Sequence, residues 1–122
     1  MRILIVENDV DVAYVVGEIA TVLGHSVSIA NSERAGRAAL RVQSPEIVIC
    51  DFDLGDGTGE EILRLAAAFH PAACRVLMTA ASGSVSGRLL SSGLAHRLLR
   101  KPFALDELRA LLSDLSRERL CA

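Results

Sequence analysis

No tryptophan occurs in these 122 residues, and there are only one tyrosine and three phenylalanines. The core must therefore be aliphatic. A protein that works by stacking bases on aromatic rings is disfavoured, and a net charge of −2 also argues against direct nucleic-acid binding. Long apolar runs are missing too. None approaches the ~20 residues of a membrane-spanning helix, and Met1-Arg2-Ile3 enters a strand-like run without the layout of a cleavable signal. The expectation is a cytoplasmic protein without membrane contact. Cysteines are few: Cys50, Cys74 and Cys121 show neither close pairing nor metal-ligand spacing, and Cys50 and Cys74, in or beside strand-like runs, read as small buried hydrophobes. Lysine is almost absent, for Lys101 is the single lysine among thirteen basic residues. Acids are absent from residues 62–105, which carry Arg64, Arg75, Arg88, Arg97, Arg100 and Lys101. Such a charge split can mark a partner surface.

Short unbroken apolar runs are present instead, and each ends on a polar residue. Ile3-Leu4-Ile5-Val6 runs into Glu7-Asn8-Asp9, and Ile47-Val48-Ile49-Cys50 into Asp51-Phe52-Asp53. Val76-Leu77-Met78 meets Thr79, and Leu98-Leu99 leads through Arg100 to Lys101-Pro102-Phe103. Runs of this kind are strands of a parallel sheet covered by helices on both faces. Strands are expected at 2–6, about 25–30, 46–50, about 74–79 and about 96–100. Helices are expected from the Asp9 cap to about Leu23, with Val12, Val15, Val16, Ile19, Ala20 and Leu23 at helical spacing, from Ser32-Glu33 to about Val42 and from a Thr58 cap to about Phe69. A short helix near 84–91 and an amphipathic one at 104–117, with Leu105, Leu108, Leu111, Leu112 and Leu115 on one stripe, follow. Gly24 stops the first helix. Alternation of strand and helix implies βαβ units in an α/β three-layer sandwich, with five parallel strands and five helices. The size suits one domain over 1–122, with no output domain.

In such a sheet the carboxyl ends of the strands share one rim, where ligands bind. Glu7, Asp51, Thr79 and Lys101 should meet there. A rim aspartate can act as a nucleophile and form an acyl phosphate. Glu7 and Asn8 add hard oxygen donors that suit Mg²⁺. A lone ammonium at Lys101, aimed inward by a cis bond to Pro102, can serve a phosphoryl oxygen. The Thr79 hydroxyl can donate to another, with small Ala80 and Ala81 leaving room. His25, His70 and His96 are ungrouped and are expected at the surface. No Ser-His-Asp or Cys-His arrangement emerges.

Glu7-Asn8, Asp51 with Gly59 eight residues on, Thr79-Ala80 and Lys101-Pro102-Phe103 together resemble the receiver domains of two-component response regulators, over about residues 2–117. The resemblance implies a flavodoxin-like, CheY-like fold. It implies that Asp51 is the phosphoacceptor, served by a histidine kinase or phosphotransfer protein. Glu7, Asn8, Asp51 and the main-chain carbonyl of Asp53 would hold Mg²⁺, while Thr79 and Lys101 bind phosphoryl oxygens. Such a protein is not an enzyme in its own right, beyond catalysing its own phosphorylation and dephosphorylation. Its readout would be the surface from strand four to helix five, with Thr79, Leu98, Arg88 and Arg97. That surface is arginine-rich and suits an acidic downstream partner, and the protein is expected as a monomer or weak dimer.

Three positions depart from the family pattern. Asn8 stands where a second acid is usual, so Mg²⁺ affinity should fall by roughly 1–3 kcal/mol, with Asp9 or the Asp53 side chain able to compensate. Leu98 stands where Tyr or Phe commonly reports phosphorylation. Gly55 stands where proline is common, which should loosen the loop after Asp51. Asn8 and Leu98 raise an alternative: a pseudo-receiver that binds proteins without using phosphorylation. The Asp-x-Asp of residues 51–53 is also similar to haloacid-dehalogenase phosphatases. That reading fails on the fifty residues before Asp51 and on the missing acidic pair after Lys101.

Overall fold

The computed structural model of the protein describes residues 1–80 and 84–118, so Ala81 and Cys121 lie outside the described residues. Ten elements alternate: β1 (Arg2–Val6), α1 (Val10–Val22), β2 (Ser26–Ala30), α2 (Glu33–Val42), β3 (Ile47–Asp51), α3 (Gly59–Phe69), β4 (Cys74–Thr79), α4 (Ser84–Ser91), β5 (Arg97–Arg100) and α5 (Leu105–Glu118). The strands form one parallel five-stranded sheet in the order β2-β1-β3-β4-β5. The chain steps outward from β1 to β2 and then returns to the other side of β1. The rim between β1 and β3 is therefore the switch point where α/β sheets open a crevice.

Side chains alternate along each strand and sort the core into two layers. Ile3, Ile5, Ile47, Ile49, Val76, Met78 and Leu99 pack with Ala13, Val16 and Ala20 of α1 and Leu108, Leu112 and Leu115 of α5. Leu4, Val6, Val48, Cys50 and Leu77 pack with Leu40 of α2, Ile62, Leu63 and Ala66 of α3 and Leu89 of α4. Helices thus cover both faces, and the unbroken apolar runs follow from that. Strand and helix bounds fall within about two residues of those the sequence suggests.

Capping explains the starts. Asp9 accepts from the backbone N–H of Asp11 and Val12, and Ser32 from that of Ala35. Thr58 holds the extended backbone of a cap but makes no side-chain cap bond, so it marks α3 without anchoring it. Gly24 takes φ +94° after α1. A cap the sequence hides comes from Asp56, whose carboxylate accepts from Glu33 N at 2.8 Å and Arg34 N at 3.1 Å. These bonds hold its carboxyl below the usual range.

Other expectations need correction. The buried side of α1 is Ala13, Val16, Gly17 and Ala20, not the larger Val15 and Leu23, which are exposed. Small residues let the helix approach: a Cβ at Gly17 would lie 3.2 Å from Ile29 Cδ1. Leu105 is exposed at the start of α5, outside the buried stripe. The histidines are half-buried links, not surface residues. His70 Nε2 lies 2.8 Å from Leu40 O, and Arg75 N donates to His96 Nδ1 at 3.0 Å. Among the described residues no helix is long and apolar enough to cross a membrane.

Candidate functional site

Register carries the polar strand ends to one place. Glu7 continues the Ile3–Ile5 row of β1, Asp51 the Ile47–Ile49 row of β3, and Lys101 the row of Leu99 in β5. All three therefore belong to the face that α1 and α5 cover. The pairing of Val6 with Cys50 sets Glu7 beside Asp51 one step on. Lys101 N donates to Thr79 O at 3.0 Å and extends the β4–β5 ladder past the last paired residues. Thr79 falls in the Leu77 row, on the opposite side of the sheet end.

The side chains converge as the sequence suggests. Lys101 Nζ lies 2.5 Å from Glu7 Oε1 and 3.4 Å from Asp51 Oδ1. Glu7 is 0% exposed, and its second oxygen accepts from Asp9 N at 3.0 Å. This acid is thus buried, paired and hydrogen-bonded, as a charge in a core must be. The Lys101–Pro102 bond is cis. A cavity of about 390 Å³ is lined by Asp51, Phe52, Asp53, Thr58, Thr79, Ala80 and Lys101.

Electrostatics distinguish the two acids. Burial first, then the neighbouring Glu7 charge, pushes the Asp51 carboxyl up to about 6, against the pull of Lys101 and the Phe52 N–H. Burial alone would lower the Lys101 ammonium. The bond to Glu7 and the charges of Asp51 and Glu7 outweigh it and raise the value. Asp51 is therefore a carboxylate at neutral pH, crowded by one negative neighbour and served by one cation.

Hydrogen bonds and a positive φ define the loop after Asp51. Gly55 takes φ +81°, a conformation closed to proline, whose φ is fixed near −65°. Gly55 N donates to Asp53 Oδ1 at 3.0 Å, Leu54 N donates to Gly57 O at 3.1 Å, and Asp53 bridges to Thr58. Gly59 has a strict reason to be glycine: a Cβ there would stand 2.1 Å from Asp51 O. Spacing flagged Gly59 without showing why, and Phe52 and Thr58 as cavity walls carried no signal in sequence.

Not every expected site residue joins the cavity. Asn8 is exposed at the rim, its amide nitrogen 3.6 Å from where a Gly55 Cβ would be. Asp9 spends Oδ1 on the α1 cap, and Asp53 spends Oδ1 on Gly55. Among the described residues no three Asp, Glu, His or Cys side chains group as a metal cage. The hard-oxygen donors still fit Mg²⁺, which needs only one or two carboxylates beside waters and phosphate oxygens. Leu98 is half-buried against the α2–α4 core layer with Val85 and Leu94. Arg88 and Arg97 lie apart from the cavity, paired with Glu60 and Glu118. Arg75 is buried and donates to Leu94 O at 2.8 Å and Gly93 O at 3.1 Å. The acid-free segment is therefore less of a bare positive surface than its sequence implied.

Comparison with known proteins agrees with this geometry. The family model for the response regulator receiver domain matches residues 3–113. The transcriptional regulatory protein TcrA of Mycobacterium tuberculosis is 35% identical over 121 residues, covering 96% of this chain and 46% of TcrA. The transcriptional regulatory protein ZraR of Escherichia coli is 30% identical over 111 residues, covering 90% of this chain and 25% of ZraR. The chain thus spans a quarter to a half of these relatives. Among solved structures, the CheY-like receiver domain protein from Methanospirillum hungatei superposes with a TM-score of 0.83 at 25% identity, over 96% of this chain and 91% of that one. The chain belongs to the response regulator receiver domain family.

Proposed function

We propose that this chain is a cytoplasmic receiver domain that accepts a phosphoryl group on Asp51 from a histidine kinase or phosphotransfer protein. The observation that carries this reading is the Lys101 ammonium, 3.4 Å from Asp51 Oδ1 at the end of the central strand, with Thr79 lining the same cavity. An Asp51 carboxylate oxygen attacks phosphorus, the O–P bond forms as the P–N bond to histidine breaks, and the imidazole leaves with the electron pair and takes a proton. Lys101 faces a developing phosphoryl oxygen from one side and Thr79 from the other. Asp51, Asn8 and the Asp53 carbonyl, with Glu7 nearby, would hold a Mg²⁺ ion, which would offset repulsion between carboxylate and phosphate. Asn8 would bring an oxygen without charge and so would weaken that site. Phosphorylation replaces the single carboxylate charge beside Lys101 with an acyl phosphate of about −2 and draws on Thr79, which passes the change toward α4 and β5.

The donor's approach has support of its own. A mostly apolar groove of about 450 Å³, lined by Val12, Val15, Ala80, Lys101, Pro102 and Phe103 with Asp11, shares Ala80 and Lys101 with the site cavity. Tyr14, also on α1, is 62% exposed. A phosphohistidine donor that reaches Asp51 over this rim would meet the groove, which supports a partly apolar contact. We assign the whole 1–122 chain to one receiver unit. The pairing of Arg88 and Arg97 leaves an acidic downstream partner to act by displacing Glu60 or Glu118. Incubation with acetyl phosphate and Mg²⁺, followed by intact mass measurement, tests the reading. One added phosphoryl group is expected, absent in Asp51→Asn and in EDTA. No gain in the wild type at high Mg²⁺ refutes it.

A further inference from the structure

An alternating line of charges crosses α2, α3 and α4, outside the phosphoryl site. Glu33 meets Arg37 Nε at 2.5 Å, and Arg37 reaches Glu61 at 3.9 Å. Arg64 lies 4.0 Å from Glu61 and 2.6 Å from Glu60. Arg88 of α4 then grips Glu60 with both terminal nitrogens, at 2.9 and 3.1 Å. The Glu33 and Glu60 side chains are each 16% exposed, so the arginines shelter them. Arg88 first and Arg64 second draw the Glu60 carboxyl down to about 2.

The line has two ends that matter. At one end, Glu33 covers the loop leaving Asp51: a Cβ on Gly57 would stand 1.8 Å from Glu33 Oε2. Glu60 itself follows Gly59, whose backbone lies against the Asp51 carbonyl. At the other end is α4, eight residues long and burying only Ser86 and Leu89. An isolated exposed ion pair would hold a helix poorly. A fork is different, because a guanidinium meets both carboxylate oxygens in one orientation only, so a small shift of α4 breaks it.

We propose that the Glu60–Arg88 fork is a latch that ties α4 to the first turn of α3, directly after the loop that leaves Asp51, in the unphosphorylated protein. Its release, rather than a swinging aromatic at position 98, then reports the state of the site. Leu98 packs with Val85 and Leu94 beside α4 and can repack behind the moving helix, but it offers no polar group to hold either position. The proposal rests on Asp51 being the phosphoacceptor. By linkage, a latch favouring the unphosphorylated arrangement opposes binding of any phosphoryl mimic at Asp51.

The test uses the full chain with Arg88→Ala and Arg88→Lys. Amide hydrogen exchange of α4 is measured without phosphoryl donor, and affinity for beryllofluoride with Mg²⁺ is measured alongside. In Arg88→Ala, α4 exchange and beryllofluoride affinity should each rise by about threefold, the effect of losing one modest coupling. Arg88→Lys, which keeps charge but loses the fork, should fall between. Unchanged α4 exchange overturns the proposal, and so does faster exchange with unchanged affinity, since the fork would then be structural only. A wild type that binds no beryllofluoride sinks the phosphoacceptor reading together with the latch. A wild type that binds it as tightly as Arg88→Ala sinks the latch alone.

Discussion

Asp51 sits between two opposing neighbours, the Glu7 carboxylate and the Lys101 ammonium. An aspartate in an unfolded chain has a pKa near 4, while burial and then Glu7 push the folded value to about 6. Between these values the folded protein keeps a proton that the unfolded chain has lost. Stability therefore falls as pH rises from about 4 to about 6 and stays reduced above that. Without metal, removing the charge should remove the penalty. In EDTA at about pH 7.5, Asp51→Asn is expected to be more stable than wild type by about 1–3 kcal/mol, with the gain fading below about pH 4. Urea denaturation at both pH values checks this. Equal stability near pH 7.5 would show that burial and the Glu7 charge together do not outweigh the pull of Lys101 on Asp51.

The elements show which parts of the sequence carry plain structural instructions. Apolar runs ending in Glu7, Asp51 and Thr79 were legible as strands because helices bury both faces, and Asp9, Ser32 and Gly24 marked helix ends through local hydrogen bonds and backbone freedom. Orientation of α1 was harder to read. Bulk hydrophobicity favoured Val15 and Leu23, whereas Ala13 and Gly17 face the sheet because only small residues let the helix come close. The Asp56 cap on α2 was invisible because its partners lie more than twenty positions away. Gly59 offers the sharpest element-level test. With its Cβ position 2.1 Å from the Asp51 carbonyl, Gly59→Ala must push backbone against backbone at the start of α3. A loss of about 2–4 kcal/mol in thermal or urea unfolding is expected. Gly87→Ala in α4, where a Cβ meets nothing within 4 Å, should instead stabilise by up to about 1 kcal/mol. Similar effects from both substitutions would contradict the packing described for the loop.

Over the whole molecule, the order β2-β1-β3-β4-β5 does the gathering. It sets β3 at the centre, so Asp51 is flanked by Glu7 from β1 on one side and by Thr79 and then Lys101 on the other. Residues 94 positions apart become an ion pair. That convergence was readable from strand-end chemistry alone. The charge pattern was not: the arginines of the acid-free segment find Glu60 on α3, Glu118 on α5 and the carbonyls of Gly93 and Leu94, partners that spacing does not reveal. The apolar groove beside α1 and the ionic line over α2, α3 and α4 leave the protein with two unlike surfaces.

Chemical trapping of the modified side chain tests the central claim most directly. After incubation with a phosphoryl donor and Mg²⁺, borohydride reduces an aspartyl phosphate to homoserine, and peptide sequencing by mass spectrometry locates it. Homoserine at position 51 is the predicted result. Homoserine at another acid, or none in a protein that has received donor and metal, would contradict the assignment of this rim as a phosphoryl-accepting site.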